Sequence, residues 1–124
     1  MLFRSLDAKT LKWTRPVVGP PGRIPLPATA AAGESMAYIA AEVTSPAVLT
    51  TRLQLGAAHL VQVWLNGKSV YGGKPGDGPA APDQASIPVD LRAGANQLLF
   101  QVTYRGDKEV LFAQIGRASC RERV

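Results

Sequence analysis

Few side chains in this sequence have the type and spacing for covalent chemistry. His59 is the single histidine, flanked by Ala58 and Leu60. A catalytic or metal-binding imidazole needs carboxylate, thiolate or further imidazole partners, and without them His59 reads as a turn residue. Asp77, Asp83 and Asp90 are scattered acids that lack the context of a glycosidase dyad. The glycines of residues 72–78 lack the strand–loop–helix setting of a phosphate cradle. Non-covalent recognition is better served. Trp64 offers a flat apolar face with a polar edge. Asn66, Tyr71, Asp83 and Gln84 follow it, and Lys74 and Asp77 lie in the intervening loop. An aromatic face plus a few polar groups held by rigid strands is how a small polar ligand is bound. The candidate ligand-binding residues are therefore Trp64, Asn66, Tyr71, Asp83 and Gln84. No catalytic residue, metal ligand or cofactor is assigned. Two of these residues also have a purely structural reading. Trp64 could pack against a second layer or an N-terminal segment, and Asn66 is already explained by the turn it occupies.

The stretch that positions these residues is VQVWLNGKSVY, residues 61–71. Val61, Val63 and Leu65 alternate with Gln62 and Trp64, the period-two pattern of a strand with one buried face. Asn66-Gly67 tolerates positive φ at both positions, as a type I′ hairpin turn requires. Residues 68–71 lead back. Further along, residues 47–55 place Leu49, Thr51, Leu53 and Leu55 on one face. Residues 84–91 do the same with Ile87, Val89 and Leu91, with Pro88 on the opposite phase marking an edge or a bulge. Residues 96–104 align Leu98, Phe100, Val102 and Tyr104, and Asn96 reads as a side-chain cap of the turn before it. Residues 109–115 form a closing strand. The alanines of ESMAYIAAEVTS, residues 34–45, would permit helix, but Tyr38, Ile39, Val43 and Thr44 favour extension. Residues 72–83, GGKPGDGPAAPD, form a loop without packable side chains, expected to be exposed and mobile. Residues 12–18 read as a short edge strand and residues 23–26 as a short extended piece. Residues 1–12 read as a short amphipathic turn or the tail of an upstream domain. About eight short strands with turn residues between them and no sound helix predict an all-β fold, an antiparallel β-sandwich.

The chain has 124 residues, 46% apolar and 19% charged, enough for one domain with a modest core. No apolar run approaches membrane-spanning length. Residues 1–10, MLFRSLDAKT, lack the continuous apolar core of a signal peptide. That leaves a cytosolic protein, or an internal start with the true N-terminus elsewhere. Residues 115–124, IGRASCRERV, resemble the in-frame translation of a common short-read sequencing adapter. Residues 116–124 are accordingly read as a non-native tail without a packing role, while Ile115 fits the strand before it. Without that tail, Lys plus Arg falls from 14 to 11, Asp plus Glu from 9 to 8, and net charge from +5 to +3. The basic balance that would suggest a nucleic-acid partner is thereby weakened. Cys120, the single cysteine, leaves with the tail, and with it any disulfide, thiolate nucleophile or cysteine metal site.

The run from Ala37 to Ala113 resembles the galactose-binding-like jelly-roll modules of large secreted planctomycete-type proteins. The residues that carry the resemblance are Tyr38, Ser45-Pro46, Leu53 to Gly56, the VWLNGK of residues 63–68, Asp83-Gln84, and Leu91, Gly94, Asn96, Leu98-Leu99 and Val102. The WLNG hairpin and the G-x-N-x-L turn are also similar to those in the sugar-binding domain of family 2 glycoside hydrolases. Where those modules commonly carry Ser-Asp-Asp, this chain has Ala57-Ala58-His59, so the resemblance brings no calcium site at that turn. It implies a jelly roll over residues 34–115, preceded by an edge strand and proline-rich lead-in over residues 1–33. It further implies a non-catalytic binding module of a larger secreted protein, extracellular or periplasmic, with a glycan as its candidate partner. The alternative is a spacer that packs against a neighbouring haem-binding, dehydrogenase-like or hydrolase domain and has no ligand of its own. An enzyme is not expected, nor a partner in nucleic acid or membrane.

Overall fold

The computed structural model describes residues 2–7, 12–14, 22–26, 34–105 and 109–115. Among them are ten strands and no helix, hence no helix long and apolar enough to cross a membrane. The strands are β1 (Leu2–Asp7), β2 (Lys12–Thr14), β3 (Arg23–Pro25), β4 (Glu34–Ser45), β5 (Leu49–Gly56), β6 (Val61–Leu65), β7 (Lys68–Gly73), β8 (Ala85–Leu91), β9 (Gly94–Arg105) and β10 (Val110–Ile115). Two antiparallel sheets face each other. One is six-stranded in the order β2-β1-β4-β9-β6-β7, the other four-stranded in the order β3-β10-β5-β8. The chain is a β-sandwich.

Alternation builds the layers. In β5, β6, β8 and β9 every second residue is buried, as the pattern of apolar residues predicts. Leu53, Val63, Leu65, Leu98, Phe100 and Val102 all lie in the core between the sheets. β4 obeys the same period. Ala37, Ile39, Ala41 and Val43 are buried, so its alanines serve a strand, not a helix. Their small size has a use. Ala37 pairs with Val102 and Ala41 with Leu98, which sets small residues beside large ones across the longest strand pair. Pro88 lies in β8, the edge strand of its sheet, where a missing N–H is tolerated. The closing strand ends at Ile115, which packs against the core.

Two expectations need correction. Residues 2–7 are not an amphipathic turn. They form β1, which pairs with β4 from Leu2↔Glu42 to Asp7↔Ala37 and on its other side with β2. A short sequence with loosely spaced leucines cannot show that a long unpaired strand edge awaits it; the edge of β4 supplies the backbone partners. Nor is the loop after β7 simply exposed: Pro75 within it is buried. The expected edge strand over residues 12–18 is β2 in its first part. Residues 15–18 and the tail 116–124 lie outside the described residues.

The Asn66-Gly67 turn has φ of 51° and 84°, positive at both positions as expected. It is tied to a buried amide. Asn96 is fully buried at the start of β9. Its Nδ2 donates to the carbonyls of Arg92 (2.9 Å), Gly94 (3.1 Å) and Val43 (3.3 Å). Its Oδ1 accepts from the Arg92 N–H and from Asn66 Nδ2, each at 3.0 Å. One side chain thus joins the β8–β9 turn, β4 and the tip of the β6–β7 hairpin.

Two substitutions test this account. Asn96→Ala is expected to lower unfolding free energy by about 2–4 kcal/mol in urea titrations, because buried groups left without partners cost about 1–3 kcal/mol each. Gly67→Val is expected to cost about 1–2 kcal/mol from backbone strain at positive φ. An added Cβ at Gly67 meets nothing within 4 Å, so strain is the only penalty available.

Candidate functional site

The β6–β7 hairpin presents two faces, and a bulge decides which residue goes where. Leu65 pairs with Lys68 and Trp64 with Ser69, but Val63 pairs with Tyr71, so Val70 is an extra residue. In a regular hairpin Tyr71 would sit opposite Gln62, on the same outer face as Trp64. The bulge reverses this. Tyr71 shares the register of buried Val63 and packs against the core. Trp64 stays on the outer face, half-buried. The two aromatics of the candidate site therefore lie on opposite sides of one hairpin.

The remaining candidates are engaged or apart. Asn66 is fixed at the turn. Its Oδ1 accepts from the Gln97 N–H (2.9 Å), its Nδ2 donates to Asn96, and its own N–H donates to the Gln97 carbonyl (2.8 Å). Asp83 is exposed, with φ of 61°, just before β8. Gln84 is a strut. Its Oε1 accepts from the Ala57 N–H (2.9 Å) and its Nε2 donates to the Pro79 carbonyl (3.0 Å). It thereby ties the loop of residues 74–84 to the β5–β6 connection. Gly56 is a requirement of that closure, since a Cβ there would overlap the Ala81 carbonyl. The structure does not bring the five residues together.

What it does bring together is a block on the outer face of the six-stranded sheet. Register places Trp64, Leu99 and Ala40 in one row across β6, β9 and β4. The next row holds Gln62, Gln101 and Tyr38. Trp64, Leu99, Tyr38 and Gln101 are half-buried and Gln62 is exposed. Gln101 Nε2 donates to the Tyr38 hydroxyl (2.8 Å) and contacts Met36 Sδ (3.2 Å), which holds the amide in place. Gln97 Nε2 donates to Glu42 Oε2 (3.0 Å) farther along the same face. Of this block only Trp64 was singled out from the sequence. The others stand at the outward phase of their strands and read individually as solvent-facing positions. Their convergence comes from the pairing of β4, β9 and β6, which is not written locally. Elsewhere, Asp90 accepts from the Thr50 hydroxyl (2.7 Å) across the exposed pair of β5 and β8, far in the topology from Trp64. Among the described residues no group of three His, Cys, Asp or Glu side chains converges on a point.

No family model matches the sequence, and no curated protein matches it. Solved structures match the fold. A β-glucosidase from Kluyveromyces marxianus, in complex with glucose, superposes with a TM-score of 0.63 at 9% identity, over 93% of this chain and 15% of that one. The PA14 domain of the MpAFP antifreeze protein gives 0.52 at 10% identity, over 67% of this chain and 43% of that domain. A GH31 α-xylosidase from Xanthomonas citri gives 0.52 at 10% identity, over 91% and 15%. At such identities the likeness is one of fold. The chain spans less than half the length of each of these structures.

Gln84→Ala should loosen the 74–84 loop without unfolding the sandwich. The expected result is faster amide exchange at Ala57 and faster proteolysis within residues 74–84, with a stability loss of about 1–2 kcal/mol for the two bonds removed. Unchanged exchange at Ala57 would show that the loop is held by other contacts.

Proposed function

We propose that this chain is a non-catalytic carbohydrate-binding module of a larger extracellular or periplasmic protein. The observation that carries this reading is the outer face of the six-stranded sheet, where half-buried Trp64 stands in register with Leu99 and beside the amides of Gln62 and Gln101. Sugars have apolar C–H faces and polar hydroxyl edges, and an aromatic plate flanked by amides meets both. The fold likeness supports it, since a β-glucosidase and an α-xylosidase each contain a region of this shape within a much longer chain. Asp90 accepts from the Thr50 hydroxyl on the other sheet.

A glycan array followed by isothermal titration tests the reading. The site is open and shallow, so binding of an individual oligosaccharide is expected near the millimolar range, about −4 kcal/mol. An array without any hit, together with a parent protein whose next domain covers the Trp64 face, would replace the binding module by a spacer.

A further inference from the structure

We propose that Asn66-Gly67 is a latent modification site: a spontaneous deamidation held in check by Asn96, whose product releases the tip of the β6–β7 hairpin from β9. The chain contains two asparagines, and they are hydrogen-bonded to each other, Asn66 Nδ2 donating to Asn96 Oδ1 at 3.0 Å. One is exposed and followed by glycine; the other is fully buried and followed by Gln97. The reaction needs only the turn and water. The backbone nitrogen of Gly67, after losing its proton to water, attacks Asn66 Cγ. A C–N bond forms, the Cγ–Nδ2 bond breaks, and Nδ2 leaves with a proton from water as ammonia. Water then opens the cyclic imide at either carbonyl, giving aspartate or isoaspartate at position 66. Glycine favours ring closure because it has no side chain to crowd the approach. Gly67 is exposed, with open space around its Cα. Neither step involves a bound ligand, so the site stands apart from the carbohydrate-binding reading.

The folded hairpin opposes the first step. Ring closure expels Nδ2 and moves the side-chain carbonyl into the ring, so both bonds of the Asn66 amide must break. These are the bond from Nδ2 to Asn96 and the bond that Oδ1 accepts from the Gln97 N–H at 2.9 Å. The Asn66 N–H is also fixed, donating to the Gln97 carbonyl at 2.8 Å. The site therefore reacts only from an opened hairpin tip, and its rate measures that opening.

The product reverses the contact. A carboxylate oxygen then stands where Nδ2 stood, facing Asn96 Oδ1, and neither has a hydrogen to share. Asn96 cannot turn its amide over to supply one. Its Nδ2 donates to the carbonyls of Arg92, Gly94 and Val43, and a flip would set its oxygen against theirs. Isoaspartate also lengthens the backbone of the turn. The link between the hairpin tip and Asn96 is lost for good, while the β8–β9 turn and β4 stay joined to it.

The test is tryptic peptide mapping by mass spectrometry after incubation in mildly alkaline buffer. Asn66 lies in the peptide of residues 53–68, which holds no other asparagine and no aspartate. Deamidation is expected to be about thirtyfold slower in the folded chain than in the chain unfolded in urea, the factor for two net hydrogen bonds. Equal rates would overturn the proposal. Asn96→Ala is expected to speed the reaction about tenfold, whereas Val89→Ala, a core truncation in the other sheet, should stay within about twofold of wild type. Equal acceleration by both would assign the opening to global unfolding and remove Asn96 from the account. Should thermal melts show Asn96→Ala unfolded, amide exchange of wild type at Gln97 decides. Its N–H is released by the same opening, so the two protections should agree within about threefold; a larger discrepancy would overturn the gate. Asn66→Asp, which carries the product from the start, is expected to melt about 3–8 °C lower. An unchanged melt would show that the modification releases nothing.

Discussion

The amide of Asn96 is the constraint on which the rest of the structure depends. β9 is the strand that pairs with both β4 and β6, so its register fixes the register of the central sheet. A slip of one residue would exchange its two faces, sending Phe100 and Val102 to solvent and Leu99 and Gln101 into the core. Hydrophobic burial disfavours that slip, but the buried amide locks the start of the strand directly. Its five hydrogen bonds reach the β8–β9 turn, β4 and the hairpin tip. A buried polar group is tolerable only when fully satisfied, and once satisfied it admits a single arrangement. The row in which Leu99 meets Trp64 follows from that arrangement.

Local signals made much of this fold legible. The alternation in β5, β6, β8 and β9 reported which face was buried, because each of these strands has one face in the core and one in solvent. Asn66-Gly67 reported its turn type, because few other residues accept positive φ twice in succession. The failures share a different origin. β1 has a weak pattern and exists because β4 offers it an edge. Tyr71 lies on the core side because one extra residue, Val70, breaks the period of the hairpin, and nothing in KSVYGG marks that break. Gln84 reads in sequence as a candidate ligand-binding amide; the partner of its Oε1, the Ala57 N–H, comes within reach only after the sheets have closed. The features that are hard to read depend on non-local neighbours or on one local bulge, and the legible ones are strand periodicities and a turn signature.

The loop end and the sheet face have opposite characters. At the loop end, glycines and prolines are held by one amide, and the two polar groups of Gln84 are already occupied. Ala57, where the resembling modules begin their Ser-Asp-Asp segment, is buried and gives its N–H to Gln84. This turn is closed by a neutral amide contact, with no carboxylate at positions 57–59 to recruit a cation. The sheet face is built from strand-borne side chains whose backbones are paired on both sides. Its polar groups are directed outward or held by a neighbour on the same face.

That difference decides where recognition costs least. Ordering a flexible side chain or loop on binding costs about 0.5–1.5 kcal/mol per rotamer-rich group, and a strand-mounted row has paid most of it during folding. The same flatness limits the gain. A ligand on an open sheet keeps one side in water and buries little, so a single contact stays weak. Weak sites become effective when several are linked, because the second contact is made at a high effective concentration. The energetic logic of such a face favours repeated low-affinity contact over a single tight capture.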